Sequence, residues 1–335
     1  MQYGRVAGID KNVSRIGQGL MMLGIGDIAA DFALLDAVWE SGITLFDSAH
    51  IYGGGWPDRV FGQWLKARRL ADKVVLLDKC CHPRGGKPMV RPEVITAELN
   101  DCLQRLGLPA IDLFVMHRDD PTQPVGPLVE RMSRHIDEGR IRAWGGSNWS
   151  HPRVAEANAY AAEHGLRPMA VVSNQYSLAE LLEDPWGGTC QTLTGDRGAE
   201  ARRYYASTPA ALVNWSSLCG GFFWGRFTRD NLGSFTSDDD KRCIRCFASE
   251  ANFTRLDRAA EVGGDTAELP LVVGQAGRDL LDACPIRLVG EVGAVRATPL
   301  AQLGGVVVEH PEAALTEDAA PRAGQERPVE EVRVA

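Results

Sequence analysis

Four polar side chains follow short apolar runs along the chain, and together they have the chemical types needed to reduce a carbonyl group. The runs ITLFDSAHIYG (43–53), VVLLDK (74–79) and IDLFVMH (111–117) carry Asp47, Tyr52, Lys79 and His117. Carbonyl reduction needs a hydride donor at the carbon and a proton donor at the oxygen, which gains negative charge in the transition state. These side chains would form the proton-donating side of such a site.

Tyr52 is the candidate proton donor among them. Because free tyrosine has a pKa of about 10, its phenol needs a neighbouring cation to act as an acid near neutral pH. Lys79 is the candidate cation, Asp47 would hold it and balance its charge, and His117 would orient the substrate oxygen. Each residue alone also has a structural interpretation, as a loop aromatic, an ordinary ion pair or a core histidine. Their joint occurrence at strand ends favours catalysis.

The apolar runs alternate with amphipathic helical stretches, which predicts βα units and a parallel sheet. Seven strands are predicted, in VSRIGQGLMMLG, ITLFD, VVLLDK, IDLFVMH, IRAWGGS, MAVVSNQ and ALVNWSSL. Helices are predicted between them, for example over 29–42, ending at Gly42, and over 91–107, with Pro92 near its start. A parallel barrel brings the carboxyl ends of its strands to one mouth, where residues distant in sequence converge.

The length of the chain fits one such barrel. Its 335 residues match a single eight-unit domain of roughly 250 residues with insertions and a tail. We therefore predict an α/β fold, a (β/α)8 TIM barrel over residues 1–318. Residues 319–335 are rich in Pro, Ala and charge without an apolar period, which predicts a disordered tail.

Composition argues against several classes of protein. A net charge of -8 without a long basic run argues against a nucleic-acid partner. The sequence shows no signal peptide and no apolar stretch of about 20 residues, which predicts a cytoplasmic protein without a membrane span. The eight cysteines form no regular framework and fit reduced thiols. The pair Cys243 and Cys246 lacks the second half of a zinc site, so no metal is predicted.

Several segments resemble the aldo-keto reductases and follow that family's order. They are FDSAHIYGGG, VVLLDK, RLGLPAIDLFVMHRDDP, EGRIRAWGGSNW, SNQYSL and NWSSLCGGFFWGRF, within roughly residues 13–257. The resemblance implies a (β/α)8 barrel that binds a nicotinamide dinucleotide, usually NADP and in some members NAD, without a Rossmann fingerprint. Consistently, no GxGxxG opens a βα unit here. It also implies a small carbonyl substrate, sugar-derived compounds included, and a monomer or weak homo-oligomer.

By the same resemblance, the tetrad is Asp47, Tyr52, Lys79 and His117, and a second group of residues binds the cofactor. Ser147, Asn148 and Gln175 would hold the nicotinamide carboxamide, which needs both donors and acceptors, and Trp215 would stack on the nicotinamide ring. The alternative interpretations are polar capping of strand ends and a core tryptophan. The remaining predicted contacts are Gly19 and Met21 after the first strand, and Ser216, Leu218, Gly220 and Arg226 around the pyrophosphate.

The eighth unit departs from the family pattern. Pro270 falls inside the expected helix, and Gly274 and Gly277 follow it, which disfavours a regular helix. With one extra residue of spacing, Arg296 would contact the adenosine 2′-phosphate and Gln302 the adenine. The composition predicts an irregular eighth unit in which residues 265–292 have diverged from the ancestral sequence or lie out of its reading frame.

Three functions are compatible with these features. The first is an NADPH-dependent reductase of an aldehyde or ketone, with Tyr52 as proton donor. The second is a cofactor-binding sensor or regulatory protein of the same fold, and the third is a weakly active divergent relative. The substrate is left open; the aromatic candidates for the walls of its site are Trp56, Trp149, Trp186 and Trp224.

Overall fold

Eight parallel strands close into a barrel in the computed structural model of the chain. The structure describes residues 1–24, 26–187 and 189–263, together with the backbone of 288–292. All of these belong to one compact unit, Met1–Ala297. The predicted (β/α)8 barrel is confirmed, whereas the predicted domain boundary at 318 and the tail over 319–335 lie outside the described residues.

The strands follow one another around the barrel in chain order. A short antiparallel pair, β1 (Tyr3–Gly4) and β2 (Val13–Ser14), precedes it. The barrel strands are β3 (Ile16–Gly19), β4 (Leu45–Asp47), β5 (Val75–Cys80), β6 (Ile111–Met116), β7 (Ile141–Ser147), β8 (Val171–Ser173), β9 (Ala211–Asn214) and β10 (Leu288–Val292). The last strand pairs with both β9 and β3, so no barrel strand is left as an edge.

Eight α-helices connect the strands in the described part of the chain. They are α1 (Ile28–Glu40), α2 (Trp56–Arg68), α3 (Pro92–Leu106), α4 (Val125–Asp137), α5 (His151–Glu163), α6 (Ala199–Ala206), α7 (Asp238–Phe247) and α8 (Glu250–Gly263). The carboxylate of Asp27 caps α1 by accepting from the Ala29 amide at 2.9 Å. As the sequence predicts, α3 begins at Pro92, where the missing N–H costs nothing.

The two-residue period of the strands decides which side chains face the barrel interior. On β5, Val75 and Leu77 belong to the apolar interior of the barrel, while Leu76 packs in the layer between strands and helices. Lys79 has the same parity as Val75 and Leu77, so it continues the interior face at the carboxyl end of the strand. Alternation along the strand thus directs a charged group into the mouth.

The structure differs from the sequence prediction in two places. The run 13–24, predicted to hold the first strand and a loop, holds two strands: Val13–Ser14 pairs with the N-terminal segment, and the first barrel strand is Ile16–Gly19. Two helices, α7 and α8, follow β9, and neither was predicted individually. The expected eighth helix lies outside the described residues. None of the described helices combines the length and apolar character that crossing a bilayer would require.

Candidate active site

The four tetrad residues converge at the mouth of the barrel. Asp47 ends β4, Lys79 lies on β5, and His117 directly follows β6. Tyr52 opens a short 3-10 turn, Tyr52–Gly55, in the loop after β4. Because neighbouring parallel strands end at the same level, residues 32 to 70 positions apart in sequence become neighbours.

Lys79 connects the other members of this group. Its ammonium forms a buried ion pair with Asp47 and donates to the Ser48 carbonyl at 3.1 Å. It also lies 3.4 Å from the Tyr52 hydroxyl oxygen. Burial raises the pKa of Asp47, and the positive charge of Lys79 opposes that effect. The arrangement places a cation directly on the phenol oxygen, as the predicted chemistry requires.

His117 completes the group on the opposite side of Tyr52. The two rings meet edge to face with centroids 5.8 Å apart. Burial, and then the charges of Lys79 and Arg118, hold the pKa of His117 well below its usual range. The imidazole is therefore neutral near pH 7. Its Nδ1 is buried and has no hydrogen-bond partner among the described residues, which leaves this ring without an orienting contact at that nitrogen.

Ser147 and Asn148 lie next to the tetrad at the end of β7. The Asn148 amide donates to the Ser147 hydroxyl at 3.0 Å and to the His117 carbonyl at 3.3 Å. Its side-chain oxygen accepts from the Gln191 amide at 3.4 Å. Asn148 has φ of 59°, a left-handed conformation that asparagine tolerates better than most residues. The carboxamide contact of this pair stays a prediction.

Gln175 lies on the adjoining rim but is already engaged. It is fully buried, and its amide nitrogen donates to the Ser177 hydroxyl at 2.8 Å. Its oxygen accepts from the hydroxyls of Thr192 at 2.5 Å and Thr194 at 3.5 Å. The backbone of Trp215 forms an isolated parallel β-bridge with Gln175. Trp215 is half-buried, and its indole N–H has no hydrogen-bond partner in the part of the chain described. A carboxamide contact from Gln175 would therefore need these bonds to rearrange.

The loop after β9 makes a series of left-handed turns. Ser216 has φ of 61° and Gly220 of 62°, while Leu218 is buried in the apolar cluster beneath the loop. Arg226, predicted to bind a phosphate, instead forms an ion pair with Asp240 at the start of α7 and stacks on Phe227. Binding a phosphate would therefore require Arg226 to release Asp240.

The other residues predicted to contact the cofactor lie at separate places along the chain. Gly19 lies opposite Asp47 in the register of β3 and β4, and Met21 is exposed in the following turn. Arg296 and Gln302 lie outside the described residues.

Of the tryptophans proposed for the substrate site, Trp56, Trp186 and Trp224 are exposed. Trp149 is fully buried and donates to the Arg118 carbonyl at 3.2 Å, which fits core packing, the alternative interpretation for any one of these tryptophans.

Four residues at the site were not identified from the sequence. His82 packs on His117 with ring centroids 4.8 Å apart. Arg118, the next residue after His117, is buried beside it. Asp58 and Arg105 lie behind the loop that carries Tyr52 and bind its backbone or side chains. Arg118 stands in the quoted run VMHRDDP, whereas neither Asp58 nor Arg105 carries a local signal that would reveal this role.

The seven cysteines among the described residues are free thiols, as the sequence predicts. Cys243 and Cys246 both lie on α7, and the Cys243 thiol contacts the Cys219 carbonyl at 3.2 Å. Both cysteines belong to the apolar cluster beneath the loop after β9.

The chain is similar in sequence to curated proteins and in fold to solved structures. The chain is 30% identical to aldo-keto reductase str7 of Strobilurus tenacellus over 227 residues, 67% of this chain and 60% of that protein. It is 26% identical to a probable voltage-gated potassium channel subunit beta of Oryza sativa, over 74% of each chain. The glycerol dehydrogenase AKR11B4 from Gluconobacter oxydans shares the fold, with a TM-score of 0.65, 23% identity and coverage of 87% of this chain and 85% of that chain.

The chain spans about 60% of the length of str7. The model of the Aldo/keto reductase family, however, matches residues 15–269, which is most of the chain. That range includes every described strand from β3 to β9 and all four tetrad residues. The chain therefore belongs to the aldo/keto reductase family of oxidoreductases.

Proposed function

We propose that the protein reduces an aldehyde or ketone with NADPH, and that Tyr52 protonates the carbonyl oxygen. One observation carries this proposal: the Lys79 ammonium lies 3.4 Å from the Tyr52 hydroxyl oxygen while it is ion-paired with the buried Asp47. A cation held at that distance favours the phenolate that remains after proton transfer. Such an arrangement suits general acid catalysis at an oxygen that becomes an alkoxide.

His117 would orient the substrate oxygen toward Tyr52. The depressed pKa of His117 keeps its imidazole neutral, so it would donate one hydrogen bond without competing as an acid. Its ring already meets that of Tyr52 edge to face. The carbonyl oxygen would then be held between a phenol and an imidazole, which fixes the direction of proton transfer.

The residues on the adjoining rim fit a nicotinamide group. Ser147 and Asn148 offer hydroxyl and amide groups, and the half-buried Trp215 presents a ring with an unpartnered N–H. When bound, the nicotinamide supplies the hydride. These residues would orient it, and the buried surroundings of Lys79 and His117 would exclude water from the reacting atoms. We favour NADPH over NADH, with a small carbonyl compound as the other substrate in the cytoplasm.

The test is an assay of purified protein with NADPH or NADH and a panel of simple aldehydes. Cofactor binding is followed by fluorescence, and turnover by loss of absorbance of the reduced cofactor. Tyr52→Phe removes only the hydroxyl, so it should keep cofactor binding and lose most turnover, by roughly 100-fold or more. Tyr3→Phe, at an exposed hydroxyl bonded to Gly42, is the matched control and should behave as the native protein.

Full activity in the Tyr52→Phe variant would remove Tyr52 from the mechanism. A second candidate function is cofactor sensing, which the similarity to a channel subunit beta favours. Cofactor binding without turnover of any aldehyde would support it. Slow turnover with all aldehydes would instead support the third interpretation, a weakly active relative.

A further inference from the structure

Arg118 is a buried cation without a counter-charge at hydrogen-bonding distance. Its side chain is 6% exposed, and its Nη1 donates to the His117 carbonyl at 2.9 Å. No carboxylate of the described residues lies within ion-pair distance of this guanidinium, and that carbonyl is its single hydrogen-bond acceptor among them. A guanidinium remains protonated even when burial lowers its pKa, so an unpaired one is costly in the interior.

The acidic residues near Arg118 are committed to other partners. Asp119, its neighbour in sequence, binds Arg153 at 3.1 Å. Asp120 accepts from the Thr122 hydroxyl at 2.6 Å. Asp184 attracts Arg118 from beyond ion-pair distance and accepts from the amides of Trp186 and Cys190 at 2.7 and 2.6 Å. The charge of Arg118 is therefore attracted toward this acid but is not neutralised by it.

Arg118 is also placed within the site. The His117 carbonyl accepts from both Arg118 Nη1 and Asn148 Nδ2, so the guanidinium adjoins the backbone of a tetrad residue and shares its acceptor with a residue proposed to orient the nicotinamide. Burial lowers the pKa of both His117 and His82, and the charge of Arg118 adds to each effect. The Trp149 indole fixes the backbone of Arg118 from behind, at 3.2 Å from its carbonyl.

We propose that Arg118 binds a carboxylate of the carbonyl substrate, so that acidic aldehydes and ketones are the preferred substrates. This inference rests on the proposed reductase function. A guanidinium matches a carboxylate in planar geometry, and a bound carboxylate would supply the counter-charge that the described residues do not. The remaining donors of Arg118 would form the hydrogen bonds.

The experiment compares aldehydes that differ in a carboxylate: 4-carboxybenzaldehyde with 4-methylbenzaldehyde, and 4-oxobutanoate with butanal. With the native protein and NADPH, the acid of each pair should have a kcat/KM about tenfold or more above that of its neutral counterpart. Arg118→Met should abolish that preference mainly by raising KM for the acids. Neutral aldehydes should lose much less of their kcat/KM than the acids, because they lose only the support that Arg118 gives to the His117 carbonyl.

Two further variants sharpen the result. Arg118→Lys keeps the charge but not the planar pair of donors, so it should retain part of the preference. Arg91→Met removes an arginine paired with Glu93 at an exposed site and should match the native protein. If Arg118→Met does not fold, the carboxylate site is tested by inhibiting the reduction of butanal by the native protein. Benzoate should compete with butanal at least about tenfold more strongly than benzyl alcohol does.

The outcomes separate the two proposals. Equal kcat/KM values within each native pair, or equal inhibition by benzoate and benzyl alcohol, would overturn the carboxylate site and leave the reductase function standing. Oxidation of NADPH by none of the aldehydes would overturn both. A loss of activity with acids and neutral aldehydes alike in Arg118→Met would show that Arg118 supports His117 instead of binding substrate, and would also contradict the proposed site.

Discussion

The ion pair between Lys79 and Asp47 is difficult to explain by stability alone. Both side chains are almost fully buried, at 3% and 2% exposure. Removing two charges from water costs several kcal/mol per ion, and apolar residues of similar volume are often as stabilising as such a pair. The pair does, however, fix the ammonium between the Ser48 carbonyl and the Tyr52 hydroxyl. The ion pair is therefore better explained by the proposed catalysis than by its contribution to folding.

Asp78 is a second buried carboxylate, on the other face of β5 from Lys79. It lies beside Asp58 and Cys102, and one of its oxygens has no hydrogen-bond partner among the described residues. Burial, and then the negative charge of Asp58, raise the pKa of Asp78 well above its usual value. A carboxyl whose pKa is higher in the folded than in the unfolded state destabilises the fold when it ionises. That penalty grows as the pH rises above about 4 toward the folded pKa.

We therefore expect Asp78→Asn to stabilise the protein at pH 8, by about 1 to 3 kcal/mol, and to have less effect at pH 5. Asparagine stays neutral and can still accept the bond from the Lys79 amide. Urea unfolding of both proteins at the two pH values measures the difference. Asp72→Asn, at an exposed position, is the control. An unchanged pH dependence in Asp78→Asn would show that Asp78 is not the ionising group.

The convergence of the four tetrad residues was predictable from sequence because each member ends or follows an apolar run, and strand ends meet at the barrel mouth. The place of Arg118 at this site was not predictable, although Arg118 is the next residue after His117. The run HRDD suggests an ion pair between Arg118 and a neighbouring aspartate, whereas the carboxylate of Asp119 pairs with Arg153 on α5. Only the tertiary structure shows that Arg118 is buried and that its acidic neighbours are already engaged.

At the scale of elements, helices α2 and α3 hold the loop between Asp47 and Tyr52 from behind. The Ser48 hydroxyl donates to Asp58 on α2 at 2.5 Å. Arg105 on α3 donates to the His50 carbonyl at 2.9 Å and packs against Gly55, where an added Cβ would lie 2.5 Å from the guanidinium carbon. The position of the proposed proton donor thus depends on residues that do not face the substrate.

We expect Arg105→Met to lower kcat by roughly tenfold while cofactor binding is retained, because a small displacement of the Tyr52 loop misdirects proton transfer. Steady-state kinetics and fluorescence titration with NADPH measure the two effects. Arg68→Met is matched to it, since Arg68 lies in the last turn of α2 and binds Asp36 on the outer surface. A kcat equal to that of the native protein would show that α3 does not position Tyr52.

The order of strands and helices through β9 could be predicted from the sequence, because the spacing of apolar residues changes at each boundary between a strand and a helix. The extent of each element could not. The segment 13–24 is predicted to hold one strand and a loop, yet it divides between an antiparallel pair and the first barrel strand. Which strand Val13 joins depends on its partner at Gly4, a tertiary choice that local propensity does not determine.

At the scale of the whole molecule, closure of the barrel depends on β10. Its backbone pairs with β9 through Leu288–Gly290 and with β3 through Gly290–Val292, so Gly290 is in register with both neighbours. Without β10, two strands would become edges with unpaired backbone groups. The sequence predicts an irregular eighth unit over 265–292, and the strand at Leu288–Val292 closes the barrel within that range.

Gly290→Pro tests this closure, because proline cannot donate to the ladder and its ring crowds a strand that is paired on both sides. We expect a lower urea midpoint for the entire cooperative transition, by about 2 kcal/mol or more in the free energy of unfolding. Gly324→Pro, in the segment predicted to be a tail, should leave the midpoint unchanged. If both variants unfold as the native protein does, β10 does not contribute to the stability of the barrel. A loss confined to Gly290→Pro would instead mean that the last strand stabilises the seven before it, and with them the mouth that holds Tyr52 and Lys79.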